Sequence, residues 1–214
     1  MAERNAGRDL GARDDTNDHQ DIGRRHFRNR RVFGSGPIPW KVADPPSLCI
    51  ETVDKNQPGV DNSSMQLSEH FSLKELCRSE VAVRLGIDNT PTDPIIIAKL
   101  ADVCKYILDP IRAKFGQFTP NSGYRCPQVN AGVGSKPSSQ HCKGEAVDFE
   151  LPSMSNYNLA MWVSDNLDFD QLLLEFAVAG DPHAGWVHCS YIGAGNRMQA
   201  LTIRKSGTLQ GLHA

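Results

Sequence analysis

Ser122-Gly123-Tyr124-Arg125-Cys126-Pro127 opens a segment that runs through a Gly/Ser/Pro-rich loop to Ser139-Gln140-His141, Gly144 and Ala146-Val147-Asp148. It gathers an Arg, a His and an Asp around flexible backbone, and such groups bind anions or metal ions. A second segment, Trp186-Val187-His188-Cys189-Ser190, adds another His. A strand entered at Glu145 brings Asp148 back beside His141 after the turn at Gly144. A strand through His188, pairing nearby, supplies a third donor.

Two imidazoles and a carboxylate suit a zinc ion that does chemistry, because three protein ligands leave one position open for substrate. Spacing alone is weak support, since a His followed seven positions later by an Asp is common. The plainer reading makes His141 a loop residue, Asp148 a strand-end cap and His188 a satisfied core histidine.

Working outward, the 214 residues carry a formal net charge of −2 and a pI near 6.4. That balance gives no overall pull toward nucleic acid or anionic lipid. No apolar run reaches the roughly 18 residues of a membrane span. The N-terminus is polar and charge-mixed where a secretory signal would be apolar, so no signal peptide is expected. Synthesis in the cytoplasm follows, with any export by another route such as lysis.

Six cysteines, at 49, 77, 104, 126, 142 and 189, form no C-x-x-C pair. With no signal peptide they are read as reduced thiols. Cys142 and Cys189 adjoin proposed ligands, which raises a second, thiolate site. Strand alternation turns Cys189 away from His188.

Residues 1–64 are rich in Arg, Asp, Asn, Gly and Pro and show no helical or strand period. Such a segment buries too little apolar surface to offset its ordering entropy, so a disordered or loosely ordered extension is expected. Its cluster Arg24, Arg25, Arg28, Arg30 and Arg31 is read as a solvated tail. Folding signals begin just after Met65, and we take as a hypothesis that Met65 is the natural start. The mass of the native product tests this.

Residues 65–214 then read as one folded domain. Ser72-Leu73-Lys74-Glu75 is a capping box opening a helix to about Leu85, closed by Gly86. Thr92 or Asp93 caps a longer helix with Pro94 at its first position. Ile96, Ile97, Leu100, Val103, Cys104, Ile107, Leu108 and Ile111 give it an apolar face, with a kink expected at Pro110 and an end at Gly116. Strands are expected at 118–122, 145–151, 169–178, 185–192 and 199–204, with a helix from Ser155 to Leu167. Helices followed by a mostly antiparallel sheet make an α+β class.

The string Ser139-Gln-His141-x-x-Gly144-x-Ala146-x-Asp148, with Ser122-Gly-Tyr-Arg125, Asn130, Gly132-Val-Gly134 and Trp186-Val-His188, closely resembles the zinc D-Ala-D-Ala carboxypeptidase family, peptidase family M15, especially its phage-borne members. Leu67-Ser-Glu-His-Phe-Ser-Leu-Lys-Glu-Leu76 is similar to the usual start of those members. The resemblance spans about residues 65 to 212. It implies a hedgehog/DD-peptidase-like fold, Zn2+ held by His141, Asp148 and His188, and hydrolysis of peptidoglycan stem peptides. The activity would be that of a D-Ala-D-Ala carboxypeptidase or an endolysin-type endopeptidase, in phage lysis or in a virion. Arg125 matches the arginine that holds a substrate carboxylate, a role suited to a planar guanidinium.

The sequence departs from the better-known pattern at Gly185, where many members carry an acidic base three residues before the last His. In Phe169-Asp170-Gln-Leu-Leu-Leu-Glu175, the Glu lies on the strand expected to pair with that of His188, and the segment resembles the hedgehog approach to its last ligand. Glu175 is therefore read as the general base. Asp181 and His183 are rivals in the following turn, with His183 also a candidate for the oxyanion or the leaving amine. The expected partner is a peptidoglycan stem peptide, met by a monomer, without nucleic acid or membrane. The competing reading is a non-catalytic, zinc-containing wall-binding or virion module, which would need Arg125 but not Glu175.

Overall fold

A computed structural model describes residues 65–214. The extension 1–64, with its arginine cluster and Cys49, lies outside the described residues. The fold is α+β with a five-stranded mixed sheet.

The chain enters through the expected capping box, in which Ser72 and Glu75 each accept from the other's backbone N–H. The helix does not run on to Leu85. It breaks into α1 (Leu73–Leu76) and α2 (Glu80–Leu85), because the Ser79 side chain accepts from Ala82 N and starts a second helix. A serine hydroxyl competes with the backbone in this way, which suits it to a cap rather than a helix interior.

Asp93 caps α3 (Pro94–Val103) through Ile95 N. The helix then widens into a π turn (Cys104–Leu108) before α4 (Asp109–Phe115), which ends at Gly116. The wider turn sits directly before Pro110, the residue with no N–H to return and a ring that crowds the preceding turn. The apolar stripe is buried from Leu100 to Ile111.

Two short elements lie where only a loop was expected, α5 (Pro127–Gly132) and a 3₁₀ turn (Gln140–Lys143). Pro127 at the first helical position is the start signal for α5. Residues 118–122 form no strand beyond a bridge between Ser122 and Asp148, and Pro120 has no N–H to offer a ladder.

The strands are β1 (Ala146–Phe149), β2 (Gln171–Glu175), β3 (Trp186–Ser190), β4 (Gln199–Arg204) and β5 (Gly207–Gln210). Between β1 and β2 lies α6 (Asn156–Asn166), capped by Ser155 as expected. The sheet order is β1-β3-β2-β4-β5. All neighbours are antiparallel except β2 and β4, which run parallel; β5, a strand beyond those expected, closes a hairpin with β4.

Alternation along three strands divides the sheet. Val147, Phe149, Leu172, Leu174, Val187 and Cys189 face a core shared with α3, α4 and α6. Asp148, Leu173, Glu175, Trp186 and His188 face a cleft on the other side. Gly144, at φ +71°, links the 3₁₀ turn to β1, and a Cβ there would lie 2.6 Å from the Ile96 carbonyl oxygen. The His141 turn can therefore sit directly against α3 only with glycine at this position.

Asp170, buried just before β2, ties three segments together. Its carboxylate accepts from Arg197 Nε (2.7 Å) and Nη2 (2.5 Å) and from Gln140 Nε2 (2.8 Å). The hydrogen bonds from Arg197 outweigh burial and lower its pKa to about 2. A depressed folded-state pKa stabilises the fold above the unfolded carboxylate range and loses that contribution as pH falls from about 4 through about 2. Asp170→Asn is expected to cost about 2 kcal/mol at neutral pH and to flatten stability over that acid window, as read by urea titration at stepped pH.

Candidate metal centre

His141 comes from the 3₁₀ turn, Asp148 from β1 and His188 from β3, where Asp148 and His188 are register partners. The His141 ring is set by Gly123, whose carbonyl oxygen lies 2.6 Å from Nδ1. A carbonyl only accepts, so Nδ1 carries the proton and Nε2 presents its lone pair. Backbone bonds from Tyr124 N to Leu76 O (2.7 Å) and from Arg125 N to His141 O (3.3 Å) keep Gly123 in place.

Three donor atoms converge. His141 Nε2 and His188 Nδ1 are 3.1 Å apart, and Asp148 Oδ1 lies 3.2 Å from the first and 2.8 Å from the second. Bonds of 2.0–2.1 Å to a tetrahedral zinc place such atoms about 3.3 Å apart, so the set fits that ion closely. All three residues are buried, and among the described residues this is the one cluster suited to a metal. The thiolate alternative finds no counterpart, since Cys189 faces the core and burial pushes its thiol up. The five described cysteines are free thiols.

The protonation states agree with the donor set. Burial lowers the pKa of His141 despite the nearby Asp148, keeping the imidazole neutral. Burial alone would raise Asp148, but the His141 and His188 rings beside it hold its carboxyl far below the usual range. Its second oxygen, Oδ2, accepts from Arg125 Nη2 at 2.7 Å, which aims Oδ1 at the imidazoles. Metal ligands are commonly oriented by such outer partners.

The chain matches the model of the family described as Peptidase M15 over residues 69–190, more than half its length. The protein belongs to the peptidase M15 family. Family M15 is zinc-dependent, so the protein is a metallopeptidase, and the His-Asp-His cluster is its candidate zinc site. No curated protein matches the chain. Among the described residues of this M15 peptidase, no helix is long and apolar enough to cross a membrane.

The cluster lies in a cleft of about 720 Å³, which Arg125, Glu175, Phe176 and Trp186 also line. Glu175 is the register partner of Trp186, two positions from His188 on the same face. Burial raises its pKa, ahead of opposing effects from His188 and Arg125. Arg125 uses Nη2 on Asp148 and Nε on Ser122 Oγ (3.0 Å), and Nη1 has no partner among the described residues. His183 is exposed in the β2–β3 connection and is not brought to the cleft; Asp181 Oδ1 accepts from its backbone N–H (3.0 Å) in an ordinary turn.

Asn130 and Gln140, both within the motif, find definite partners. Asn130 Nδ2 donates to the carbonyls of Ser135 (3.3 Å) and Lys136 (2.9 Å), and Gln140 reaches Asp170. Asn89 carries no role in the sequence reading. It donates to the Cys77 and Tyr124 carbonyls and accepts from Cys126 N, pinning the Arg125 segment from a distant loop. An Asn between turn residues carries no periodic signal that would distinguish it.

Gly185 has a steric cause. At φ +73° it lies against the backbone of Glu175 and Phe176, and a Cβ would overlap the Glu175 carbonyl oxygen. No side chain, acidic or otherwise, fits there, while the strand that excludes it carries a carboxylate of its own. Gly185→Ala is expected to cost about 2–4 kcal/mol in urea titration, combining backbone strain with overlap. A loss below about 0.5 kcal/mol, the range of an ordinary surface change, would contradict this packing.

Proposed function

We propose that this metallopeptidase hydrolyses peptidoglycan stem peptides, with Glu175 as general base and Arg125 as the anchor for a substrate carboxylate. The observation that carries the proposal is the row Glu175–Trp186 and Leu173–His188–Asp148, which sets a partly buried carboxylate on the same sheet face as the metal donors. Bound zinc would polarise the scissile carbonyl and ready a water molecule for attack. His141, Asp148 and His188 hold the ion. Glu175 takes the proton of the attacking water and returns it to the leaving amine; its raised pKa brings it nearer the working pH, where proton transfer in both directions is efficient. Arg125 Nη1 meets the carboxylate with a charged hydrogen bond and fixes the peptide in register.

The antiparallel unit β1-β3-β2 supports assignment to the hedgehog/DD-peptidase type of fold. Between the two stem-peptide activities, D-Ala-D-Ala carboxypeptidase and endolysin-type endopeptidase, products decide. We place the activity at the cell wall, in phage lysis or carried on a virion, and in a monomer.

Zinc-loaded protein incubated with purified muropeptides is expected to release fragments whose masses identify the bond cut. Glu175→Gln is expected to lower kcat about 10²–10⁴-fold while leaving zinc content unchanged. Full activity in that variant would remove Glu175 from the reaction, and zinc binding without cleavage by the unaltered protein would favour the wall-binding module.

A further inference from the structure

Phe176, directly after Glu175, holds its backbone at φ +56°. That left-handed region is one a bulky L residue rarely adopts, and where it occurs the surrounding structure must enforce it. Enforcement is visible in the packing of Gly185 against the Glu175–Phe176 backbone. Burial does not compensate, because the residue is 51% exposed. Instead the ring lies 4.9 Å from that of Trp186, tilted 36°, and both rings line the cleft that holds the metal donors.

Trp186 is the register partner of Glu175, so the two rings form an apolar wall at the Glu175 end of the row. The cationic residues lining the cleft, Arg78, Arg125 and Lys136, come from other segments: the entry to α2, the start of the Ser122–Asp148 stretch and the loop after α5. Glu80, Val81 and Val133 line the cleft as well, so the carboxylate-binding end is fixed by Arg125 beside Asp148, and the paired rings supply the aromatic boundary.

We propose that Phe176 and Trp186 form a specificity subsite for the apolar side chain of the peptide residue flanking the scissile bond on the Glu175 side. This rests on the peptidase reading above and adds to it a direction: carboxylate toward Arg125, apolar residue toward the aromatic wall. A ring held in a disfavoured backbone pose and left open to solvent gains its compensation when substrate covers it.

Phe176→Gly separates this role from simple packing, since glycine adopts φ +56° freely and the fold is expected to keep or raise its melting temperature. Binding of a synthetic stem pentapeptide ending in D-Ala-D-Ala is measured by calorimetry on the full, zinc-loaded chain in a Glu175→Gln background. The expected result is a Kd about tenfold weaker with Phe176→Gly, the loss of roughly one well-packed aromatic contact, and recovery with Phe176→Tyr. An unchanged Kd, a loss that tyrosine does not recover, or no binding by the parent overturns the subsite. Cleavage is scored separately in the unaltered protein, so peptide that binds through Phe176 yet is never cut would sink the catalytic reading and leave the subsite standing.

Discussion

The described fold is arranged around three buried lone-pair donors that lie 2.8, 3.1 and 3.2 Å from one another. Two imidazole nitrogens and one carboxylate oxygen aimed at a common point repel one another unless positive charge lies between or beside them. The chain supplies part of that charge through Arg125, which bonds the outer oxygen of Asp148, and a bound divalent cation would complete it. Because a buried, unpaired carboxylate is costly, Asp148 ties the position of Arg125 to that of the metal. The anchor proposed for substrate and the ligand of the ion are thus one hydrogen-bonded unit.

The sheet turns this local requirement into a site. Residues alternate across β1, β2 and β3, so the hydrocarbon that stabilises the fold occupies one face and the chemistry the other. Few of the cleft residues on the strands could move to a neighbouring position without changing faces. Gly185 shows how tight the arrangement is: the approach of two strands removes a side chain at one position, and the strand responsible brings Glu175 and Phe176 with it.

Much of this was legible in the sequence, for physical reasons. The spacing of His141, Asp148 and His188 alone allows ordinary roles, and the string around them, which resembles family M15, is what makes the site readable; caps at Ser72, Asp93 and Ser155 act within a few residues of their partners. Longer-range features were harder to read. The break between α1 and α2 depends on a serine choosing its own cap, and α5 hides in a stretch whose Gly, Ser and Pro content reads as loop. The parallel pairing of β4 with β2 is set by sheet-level packing that no local period encodes. Asn89 and the Asp170–Arg197 clamp bridge segments far apart in the chain, so their partners become visible only on folding.

The ligands that zinc takes up in this protein test the centre most directly. X-ray absorption at the zinc edge, on the full chain loaded with one equivalent of metal, is expected to show two imidazole nitrogens at about 2.0–2.1 Å and oxygen donors at about 2.0–2.2 Å, without sulfur. One imidazole should disappear from the spectrum in His188→Ala. A sulfur shell near 2.3 Å, or a spectrum unaltered by His188→Ala, would contradict the assignment of the centre to His141, Asp148 and His188.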